Sequence, residues 1–335
     1  MGLMDFKPSF RVEVDGEDIT GILTDRLVSL QLSDAAGVQS DRVSITLSDS
    51  SLFARLEEPP TGAEVKVWLG YGLRQKYMGL FIADRVEIGG PPDQMTISAV
   101  ASVHGETSSG KTAITEQRSR SWPAETTLGS LVEKVAGEHG MVAAVSGSLA
   151  DIKLPHIDQV DESDIHLLSR LARDLDAIAK PGDGRLILAK RGESRTVSGQ
   201  SMPTIPVALV DVSSWRSSRS LREPAGQVIA VWQDMNAGAA VECTAGSGKP
   251  IKRLKDRYPS REAAQRAADA EYRRAARAGR SLQLQMPGNP DMVAEGRVNL
   301  SGFRSYLDGS WLVTRVEHSL DSGGYRCSVV CEPPE

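Results

Sequence analysis

A chain of 335 residues is long enough to form two or three folding units with a core of ordinary size. Its composition, with 40% hydrophobic and 25% charged residues, excludes collagen-like, coiled-coil and wholly disordered proteins. A net charge of -5 and 5% aromatic residues argue against a general nucleic-acid binder, and an odd count of 3 cysteines argues against a disulfide framework.

The first hundred or so residues alternate apolar and polar side chains with a period of two, which predicts half-buried β-strands. Glycine, proline and aspartate separate the runs, as expected for turns. Short strands at such regular spacing predict a sandwich or barrel over residues 1–107. The apolar positions of the clearest runs are Phe10, Val12, Val14, Val28, Leu30, Leu32, Val43, Ile45, Leu47, Val65, Val67 and Leu69.

Residues 106–123 lose this alternation and are rich in serine, threonine, arginine and glycine, which is typical of an exposed connector. The overlapping segment GETSSGKT matches the phosphate-loop pattern, in which the lysine contacts phosphates and the threonine ligates magnesium. A phosphate loop must open a helix on a parallel sheet, but AITEQRSRSWP has no apolar stripe and no βαβ series follows. We interpret the match as coincidental and keep a nucleotide-binding protein as an alternative function. The residues of the match are Gly105, Gly110, Lys111 and Thr112.

The stretch beyond this connector carries two amphipathic helical patterns. The first closes at Gly140 behind a cap at Thr126 or Thr127. The second follows the acidic run DESD, whose aspartate or serine can accept the free amide hydrogens of the first turn. The run RLILAK then predicts a strand that returns from the second helix. Residues 108–200 are therefore predicted to hold the connector and a small α/β insertion.

From about Met202 the strand alternation resumes. One helix interrupts it, because the segment between Ser260 and Gly279 has a serine cap, a glycine stop and strong helix formers throughout. Its apolar side is almost all alanine, which buries little area, so this helix is expected to cover a sheet. Residues 201–335 are predicted to form a second β-barrel with a covering helix near 260–279.

The region from Lys249 to Arg280 is locally basic although the whole chain is acidic. Either these charges lie on a solvated helix face with acidic partners, or they form a docking surface for an acidic neighbour. The basic residues within the region include Arg253, Lys255, Arg257, Arg261, Arg266, Arg273, Arg274 and Arg277.

Two distant segments of the chain resemble each other. Each has a strand that ends at a glycine and an aromatic residue, then a loop to a second glycine, an aromatic-aliphatic pair and the triplet Arg-Val-Glu. Chance similarity between hairpins is the alternative, since turn glycines recur for physical reasons. We interpret the similarity as two copies of one β-domain. The matched positions are Gly70 with Gly302, Tyr71 with Phe303, Gly79 with Gly309, Phe81-Ile82 with Trp311-Leu312, and Arg85–Glu87 with Arg315–Glu317.

The whole chain resembles the hub proteins of contractile phage tails, the family known as phage late control protein D, which is related to the N-terminal part of VgrG proteins. The resemblance rests on the order and spacing of several segments. They are TLGSLVEKVAGEHG, IDQVDESDIHLLSRLARDLDA with DGRLILAKRGE, the alanine-rich helix, and LDGSWLVTRVEHSLDSGGYRCSVVCE. The resemblance implies an α+β, mainly β fold in which two tail-tube-like β-barrel domains flank the small α/β insertion.

The resemblance also implies a structural role in the baseplate of a contractile phage tail or a phage-tail-like particle, assembled in the bacterial cytoplasm. A trimer with two like barrels per chain would form a pseudo-hexameric ring that joins the six-fold tail tube to the three-fold central spike. The expected partners are two further copies of the chain, the tail tube protein, the spike protein, other baseplate proteins and the tape-measure protein. No membrane contact is expected, because no long apolar run is present. Sequence-specific nucleic-acid binding is not expected either, because no reading helix is visible.

The sequence predicts no enzyme, no cofactor and no metal site. Cys327 and Cys331 lie four residues apart on a predicted strand, a separation of about 13 Å that excludes a disulfide, and are expected on its apolar face. The 5 histidines show no paired-ligand spacing. The run DESD lacks the glycine and terminal glutamate of a calcium loop, so helix capping is its expected role. A cell-wall hydrolase stays open as a further alternative, because catalytic carboxylates come together only in space.

Overall fold

The computed structural model arranges the chain as one large sheet and three small sheets, with five α-helices among the residues that it describes. Those residues are 7–37, 41–50, 55–60, 62–101, 114–182, 184–194, 202–220, 226–234 and 238–334.

Antiparallel strands form the N-terminal part, as the period-two alternation predicts. The elements are β1 (Pro8–Val14), β2 (Glu17–Asp18), α1 (Thr20–Thr24), β3 (Leu27–Ala35), β4 (Arg42–Ser48), β5 (Glu64–Tyr71), β6 (Arg74–Gly89) and β7 (Gln94–Ala101). Their order across the sheet is β3-β4-β7-β6-β5-β1-β2. Val43, Ile45 and Leu47 on β4 are buried while the residues between them are partly exposed, so the strand turns one face to the core.

The middle part is an α/β unit with an apolar core of its own. Its elements are β8 (Gln117–Trp122), α2 (Leu128–Glu138), β9 (Val142–Val145), α3 (Gly147–Ala150), β10 (Ile157–Ser163), α4 (Asp164–Asp174), β11 (Ala177–Gly182) and β12 (Arg185–Lys190). β8 pairs with β10, and β9, β11 and β12 form a three-stranded sheet. The predicted helix caps are confirmed: Thr127 Oγ1 accepts a hydrogen bond from the N–H of Ser130 at 3.2 Å, and Ser163 Oγ accepts one from the N–H of His166 at 3.4 Å.

The predicted connector over residues 106–123 is wrong in its second half, which forms strand β8. Trp122 at the end of β8 is 3% exposed. The inward face of this strand carries Arg118 and Arg120 in place of apolar side chains, so its alternation is invisible to a hydrophobicity pattern. The GETSSGKT match lies outside the described residues, since nothing between residues 102 and 113 is described.

The C-terminal part completes the large sheet and adds a small one. The elements are β13 (Thr204–Ala208), a single 3-10 turn (Leu209–Asp211), β14 (Ser214–Arg219), β15 (Gln227–Asp234), β16 (Ala239–Gly246), β17 (Ile251–Tyr258), α5 (Arg261–Ala278), β18 (Arg280–Pro287), β19 (Arg297–Ser301), β20 (Gly309–Asp321) and β21 (Gly324–Glu332). β14, β18, β21 and β20 are neighbours in the large sheet, β19 pairs with β20, and β13 pairs with β19.

The alanine-rich helix α5 covers a sheet, as predicted, with Ser260 as its N-cap and Gly279 as its C-cap. That sheet is separate from the large one, because β15, β16 and β17 pair only with each other in the described chain. Residues 226–278 thus form a small unit with its own core between β14 and β18. Strand pairing alone does not define folding units, so the division of the chain at residues 107 and 200 stays a prediction.

The two halves of the large sheet share one strand order. The row β3-β4-β7-β6-β5-β1 of the N-terminal half corresponds to the row β14-β18-β21-β20-β19-β13 of the C-terminal half. The corresponding strands also follow one another in the same order along the chain. One pairing differs, since β1 is antiparallel to β5 whereas β13 is parallel to β19. This double agreement is the architecture that the internal repeat predicts.

The triplet Arg-Val-Glu occupies the same place in both halves. A bulge at Asp84 in β6 and a bulge at Thr314 in β20 each fall directly before it. A bulge inserts one residue into a strand and so decides which of the following side chains face the core. Its recurrence at one position of both copies is therefore a sharper match than strand order alone.

The glycines of the repeat match in one case out of the two predicted. Gly79 and Gly309 pair with equivalent positions of β5 and β19, and both have positive φ, +143° and +118°. Counted from these pairs, Gly302 falls one position before the match of Gly70, so that predicted equivalence is one residue out of register. Glycine is favoured at the two positions for different reasons. Gly302 has a φ of +79°, whereas a Cβ on Gly70 would lie 2.0 Å from the carbonyl oxygen of Arg74.

Candidate functional site: sheet edges and buried ion clusters

A single strand pair, here called the internal joint, connects the two halves of the large sheet. β20 pairs with β19 along its first residues and, on the same edge, with β3 along Arg315–Asp321. Seven antiparallel residue pairs make up the joint. Leu32 on β3 and Val316 on β20 are 2% and 0% exposed, so the joint is covered on its core side. The end strand of one copy thus binds the long strand of the other.

Among the described residues, the equivalent edge of β6 carries no such partner. β6 pairs with β5 as far as Ile82, and the N–H of Ala83 still donates to the carbonyl of Ala63 at 2.9 Å. Beyond that point, Arg85–Gly89 pair only with β7 in the described chain. The apolar side chain of Ile88 in this stretch is 55% exposed.

β14 is the end strand of the C-terminal half, as β3 is of the N-terminal half. It pairs with β18 on one side and, within the described ranges, with no strand on the other. Trp215 packs edge-on against Phe303, with ring centroids 5.8 Å apart, which holds β14 against the segment after β19. The strand carries two arginines, Arg216 and Arg219.

Both of these edges, which lack a strand partner in the described chain, carry charged residues. Asp84, Arg85 and Glu87 lie at the β6 edge, where Arg85 Nη2 is 2.7 Å from Glu87 Oε1, while Arg216 and Arg219 lie on β14. A free strand edge presents unpaired N–H and C=O groups, which form a template for another strand.

The outer face of the large sheet is polar and concave. A cavity of about 610 Å³ lies across β3, β4, β7, β18, β20 and β21. Hydroxyl and amide side chains make up much of its lining, and charges of both signs lie among them. The uncharged polar residues include Gln31, Ser33, Ser44, Ser98, Gln285 and Ser328, and the charged residues are Arg42, Asp84, Glu317 and Arg326.

A buried ion cluster around Lys180 holds the insertion against the N-terminal half. Lys180 Nζ on β11 lies 3.2 Å from Asp34 Oδ1 on β3 and 3.2 Å from Asp41 Oδ2. Burial raises the pKa of Asp41 to about 7, and the charge of Asp34 adds to the rise while Lys180 opposes it. Burial also acts to raise the pKa of Asp34, but the charge of Lys180 and the N–H of Ala294 outweigh it and hold that pKa below its usual value.

A second cluster, around Arg277, ties α5 to both the insertion and the C-terminal half. Arg277 Nη2 pairs with Asp176, which lies between α4 and β11, and Arg277 Nε lies 3.2 Å from Glu332 Oε1 on β21. Arg191, just after β12, reaches the same oxygen of Glu332 at 3.0 Å. Arg277 and Asp176 are 5% and 2% exposed, so both charges depend on each other for neutralisation.

Glu295 lies beside this second cluster and is poorly neutralised. Its Oε2 accepts a hydrogen bond from the N–H of Gly192 at 3.4 Å, and its buried Oε1 accepts none from the residues that the structure describes. Burial raises the pKa of Glu295 to about 7, against the opposing charge of Arg191 and with a further rise from Glu332. The folded state therefore favours the protonated form. This stabilisation is present below about pH 4.5 and is lost as the pH rises to about 7.

We expect the variant Glu295→Gln to gain stability relative to the unaltered protein as the pH rises. Between pH 4.5 and pH 7 the difference in unfolding free energy should shift by about 1–3 kcal/mol in favour of the variant, because glutamine does not ionise. Urea unfolding at the two pH values measures this shift. Glu317→Gln on the exposed polar face is the control. A Glu295→Gln difference that is flat with pH would contradict the assignment.

A third cluster was missed by the sequence prediction and lies inside the insertion. Arg120 Nη2 on β8 lies 2.6 Å from Asp164 Oδ1, and His139 Nε2 lies 2.8 Å from Asp164 Oδ2. Asp164 was expected to serve in helix capping, but it is fully buried and Ser163 is the cap. Burial acts to raise the pKa of Asp164, and hydrogen bonds from Gln159 and His139 together with the arginines outweigh it and hold that pKa low. The detectable signal was the alternation of arginine with small polar residues along β8.

The predicted cysteine positions are confirmed: Cys327 and Cys331 lie on the core face of β21 and are 0% and 1% exposed. The strand pairing also brings Cys327 Sγ to 3.2 Å from His318 Nδ1 on β20, a contact that sequence spacing did not reveal. Burial raises the pKa of Cys327 to about 11 and lowers that of His318 to about 4. Both groups are therefore neutral near pH 7, and the pair lacks the thiolate that a nucleophile requires.

Two further features of the described ranges bear on function. No three histidine, cysteine or acidic side chains are grouped there as a metal ion requires. No described helix combines the length and the apolar content needed to span a bilayer.

Much of the basic region on β17 and α5 is neutralised within the chain. Glu271 pairs with Lys252 and with Arg274, and Glu242 pairs with Arg253 at 2.6 Å. The structure thus favours the solvated face with acidic partners over a docking surface for an acidic neighbour.

The family model of the phage tail baseplate hub (GPD) matches residues 110–324 of this chain. The probable baseplate hub protein of Escherichia phage P2 is 28% identical over 368 residues, which cover 97% of this chain and 93% of that protein. The 43 kDa tail protein of prophage MuSo2 from Shewanella oneidensis has a TM-score of 0.72 at 14% identity, over 98% of this chain and 99% of that one.

An Escherichia coli component of the type VI secretion system has a TM-score of 0.55 at 12% identity, over 98% of this chain and 77% of that one. At these low identities the two solved structures show a shared fold. The family match covers most of the chain, includes the insertion, and continues through the second copy of the repeat to β21. The chain therefore belongs to the phage tail baseplate hub family, as the sequence resemblance implied, and is a structural protein of the tail baseplate.

Proposed function

We propose that this hub protein acts as a trimer whose six like β-units form a ring, and that the ring joins the six-fold tail tube to the three-fold central spike. The observation that carries the proposal is the duplication, with one strand order and one bulge position in both halves. A trimer of chains with two like units each has three-fold symmetry as a trimer and approximate six-fold symmetry as a ring of six units.

The internal joint supports the ring because it is a heterologous contact. One copy uses the edge of its long strand, β20, and the other uses its end strand, β3. Because the two copies use different surfaces, each copy still has one surface left for a further copy. A heterologous contact that repeats with a constant rotation closes into a ring. The chain therefore already contains one step of such a ring, and the edges of β14 and of Arg85–Gly89 in β6, which have no strand partner in the described chain, are available for the next step.

The concave polar face is the surface that this proposal places towards the centre of the ring. Its lining mixes hydroxyl and amide groups with two arginines and two acidic residues, so it has no net charge that would hold a passing polymer. The proposed partners are the tail tube on one side, the spike on the other, neighbouring baseplate proteins, and the tape-measure protein in the passage. The role is mechanical, and we propose no catalytic residue, cofactor or metal for it.

We expect the purified protein to have three times the chain mass of 36.0 kDa in solution and to appear in negative stain as a ring with a central opening. Native mass measurement and class averages test this directly. A protein that stays monomeric under all conditions, or a particle without an opening, would argue against the trimeric hub.

A further inference from the structure

We propose that the joint between neighbouring chains repeats the internal joint, with β14 of one copy paired antiparallel to Arg85–Gly89 of β6 in the next copy. This inference rests on the trimeric hub proposed above. It adds the two strands that meet, the register in which they meet, and the side chains that come together on each face.

The register follows from the equivalence of the two halves. The valine of each Arg-Val-Glu triplet is paired with a residue on the neighbouring strand, and that residue is paired with one on the next strand. Followed in this way, the pairs lead from each valine to one residue on the end strand of the same half. The end strands of the two rows thereby align, with Leu30 of β3 matching Trp215 of β14. The rows are Val86, Ile97, Ile45, Leu30 and Val316, Val329, Leu284, Trp215.

Transfer of the internal joint onto these matched positions defines the contact between chains. Inside the chain, β20 pairs with β3 through Val316 with Asp34, Glu317 with Ser33 and His318 with Leu32, among others. The corresponding pairs between two copies are Val86 with Arg219, Glu87 with Ser218 and Ile88 with Ser217.

The direction of the backbone N–H groups agrees with this register independently. In the internal joint the N–H of Ala36 donates to the carbonyl of Thr314 at 2.8 Å, so by alternation the N–H of Leu32 also faces β20. At the end of β14 the N–H of Ser220 donates to the carbonyl of Gly279 at 2.9 Å, which is the β18 side. Alternation then turns the N–H of Ser217, the match of Leu32, to the free edge.

The side chains complement each other on both faces. On the core face, Ile88 is 55% exposed in the single chain, and the pairing places it diagonal to Trp215. Its match in the internal joint, His318, is 0% exposed and is paired with Leu32 of β3. On the polar face, Glu87 lies opposite Ser218 and diagonal to Arg216, which gives an ion pair across the joint.

The occupant of the β6 edge is therefore a second copy of this chain. β14 is the match of the strand that fills the same edge inside the chain, and its Arg216 lies on the same face as Glu87 in this register. The small side chains of Ser217 and Ser218 leave room for backbone hydrogen bonds between β14 and β6.

A disulfide between engineered cysteines tests this register. Glu87 and Ser218 would form a non-hydrogen-bonded pair, in which Cα atoms lie about 4.5 Å apart, within the range of a disulfide. The double variant Glu87→Cys, Ser218→Cys should give a covalent trimer on a non-reducing gel after mild oxidation. The native Cys243, Cys327 and Cys331 are buried in the chain. The matched control is Glu87→Cys with Ser217→Cys, whose side chains point to opposite faces and should not link.

A proline at position 217 gives a second test. Ser217→Pro removes the N–H that faces the free edge and leaves the hydrogen bonds to β18 intact, so assembly should be lost while the chain stays folded by circular dichroism. Ser217→Ala should assemble normally. A protein that forms trimers but gives no link between positions 87 and 218 would overturn this joint and leave the hub proposal standing. A protein that forms no trimer would overturn both.

Discussion

Replacement of Arg277 by leucine is expected to lower the free energy of unfolding by about 3 kcal/mol, because it removes the cation that Asp176 and Glu332 share. Asp176 is 2% exposed and keeps only Arg273 at 3.5 Å, while Glu332 keeps Arg191 at 3.0 Å. The loss should appear in urea unfolding near neutral pH. Because Arg277 joins α5 to both the insertion and β21, the small α5 unit should also separate from the rest of the molecule before the global transition.

Two variants make this prediction specific. Lys255→Leu, at an exposed position of β17, should change the unfolding free energy by no more than about 0.5 kcal/mol. Asp176→Asn added to Arg277→Leu should recover part of the loss, since it removes a buried charge that keeps only Arg273 at 3.5 Å, and asparagine tolerates the φ of +51° at this position. If Arg277→Leu proves as mild as Lys255→Leu, the cluster does not hold these parts together.

Local structure was the most predictable part of this fold, because its causes lie within a few residues. The caps at Thr127, Ser163 and Ser260 each bond an amide three residues ahead, so the sequence alone locates the start of their helices. The strands with apolar alternation were found for the same reason. β8 was missed because Arg118 and Arg120 replace the apolar side chains that the pattern requires.

The buried ion clusters could not be predicted, because their members are distant in sequence. Lys180 and Asp34 are separated by 146 residues, and Arg277 and Asp176 by 101. Nothing in the neighbourhood of Lys180 distinguishes it from a surface lysine on a strand. Only the packing of the insertion against the N-terminal half brings the three charges of its cluster together.

The sequence predicted that the chain contains two like β-units, but not which strand edges of these units lack a partner. The repeated triplet correctly indicated two like β-units, and its exact equivalence was later fixed by the bulges at Asp84 and Thr314. Which edges stay free depends on strand order, and strand order is a property of the whole sheet. The glycine match at Gly70 and Gly302 was one residue out of register because loop length, unlike a bulge, does not fix the alignment of strands.

Replacement of Lys180 by methionine is expected to destabilise the protein strongly and in a pH-dependent way. Near pH 7.5 the unfolding free energy should fall by about 3–5 kcal/mol, since Asp34 and Asp41 then face each other without a cation. Without Lys180, the pKa of Asp41 rises further and Asp34 loses the charge that held its pKa low, so burial and mutual repulsion make the folded variant prefer protonated carboxyls. Stability from a raised carboxyl pKa is present at low pH and lost as the pH rises, so the loss should be smaller near pH 5 by roughly 1–2 kcal/mol.

Urea unfolding of the unaltered protein and of Lys180→Met at the two pH values measures this difference. Lys180→Arg keeps the charge and should remain close to the unaltered protein, while Lys180→Met with Asp41→Asn should lose most of the pH dependence. A loss of equal size at both pH values would mean that packing, and not charge, holds the insertion in place. Asp34 also pairs with Val316 in the internal joint, so a variant that unsettles Asp34 should loosen the contact between the two halves as well. The same charge cluster then supports both the position of the insertion and the internal joint between the two halves.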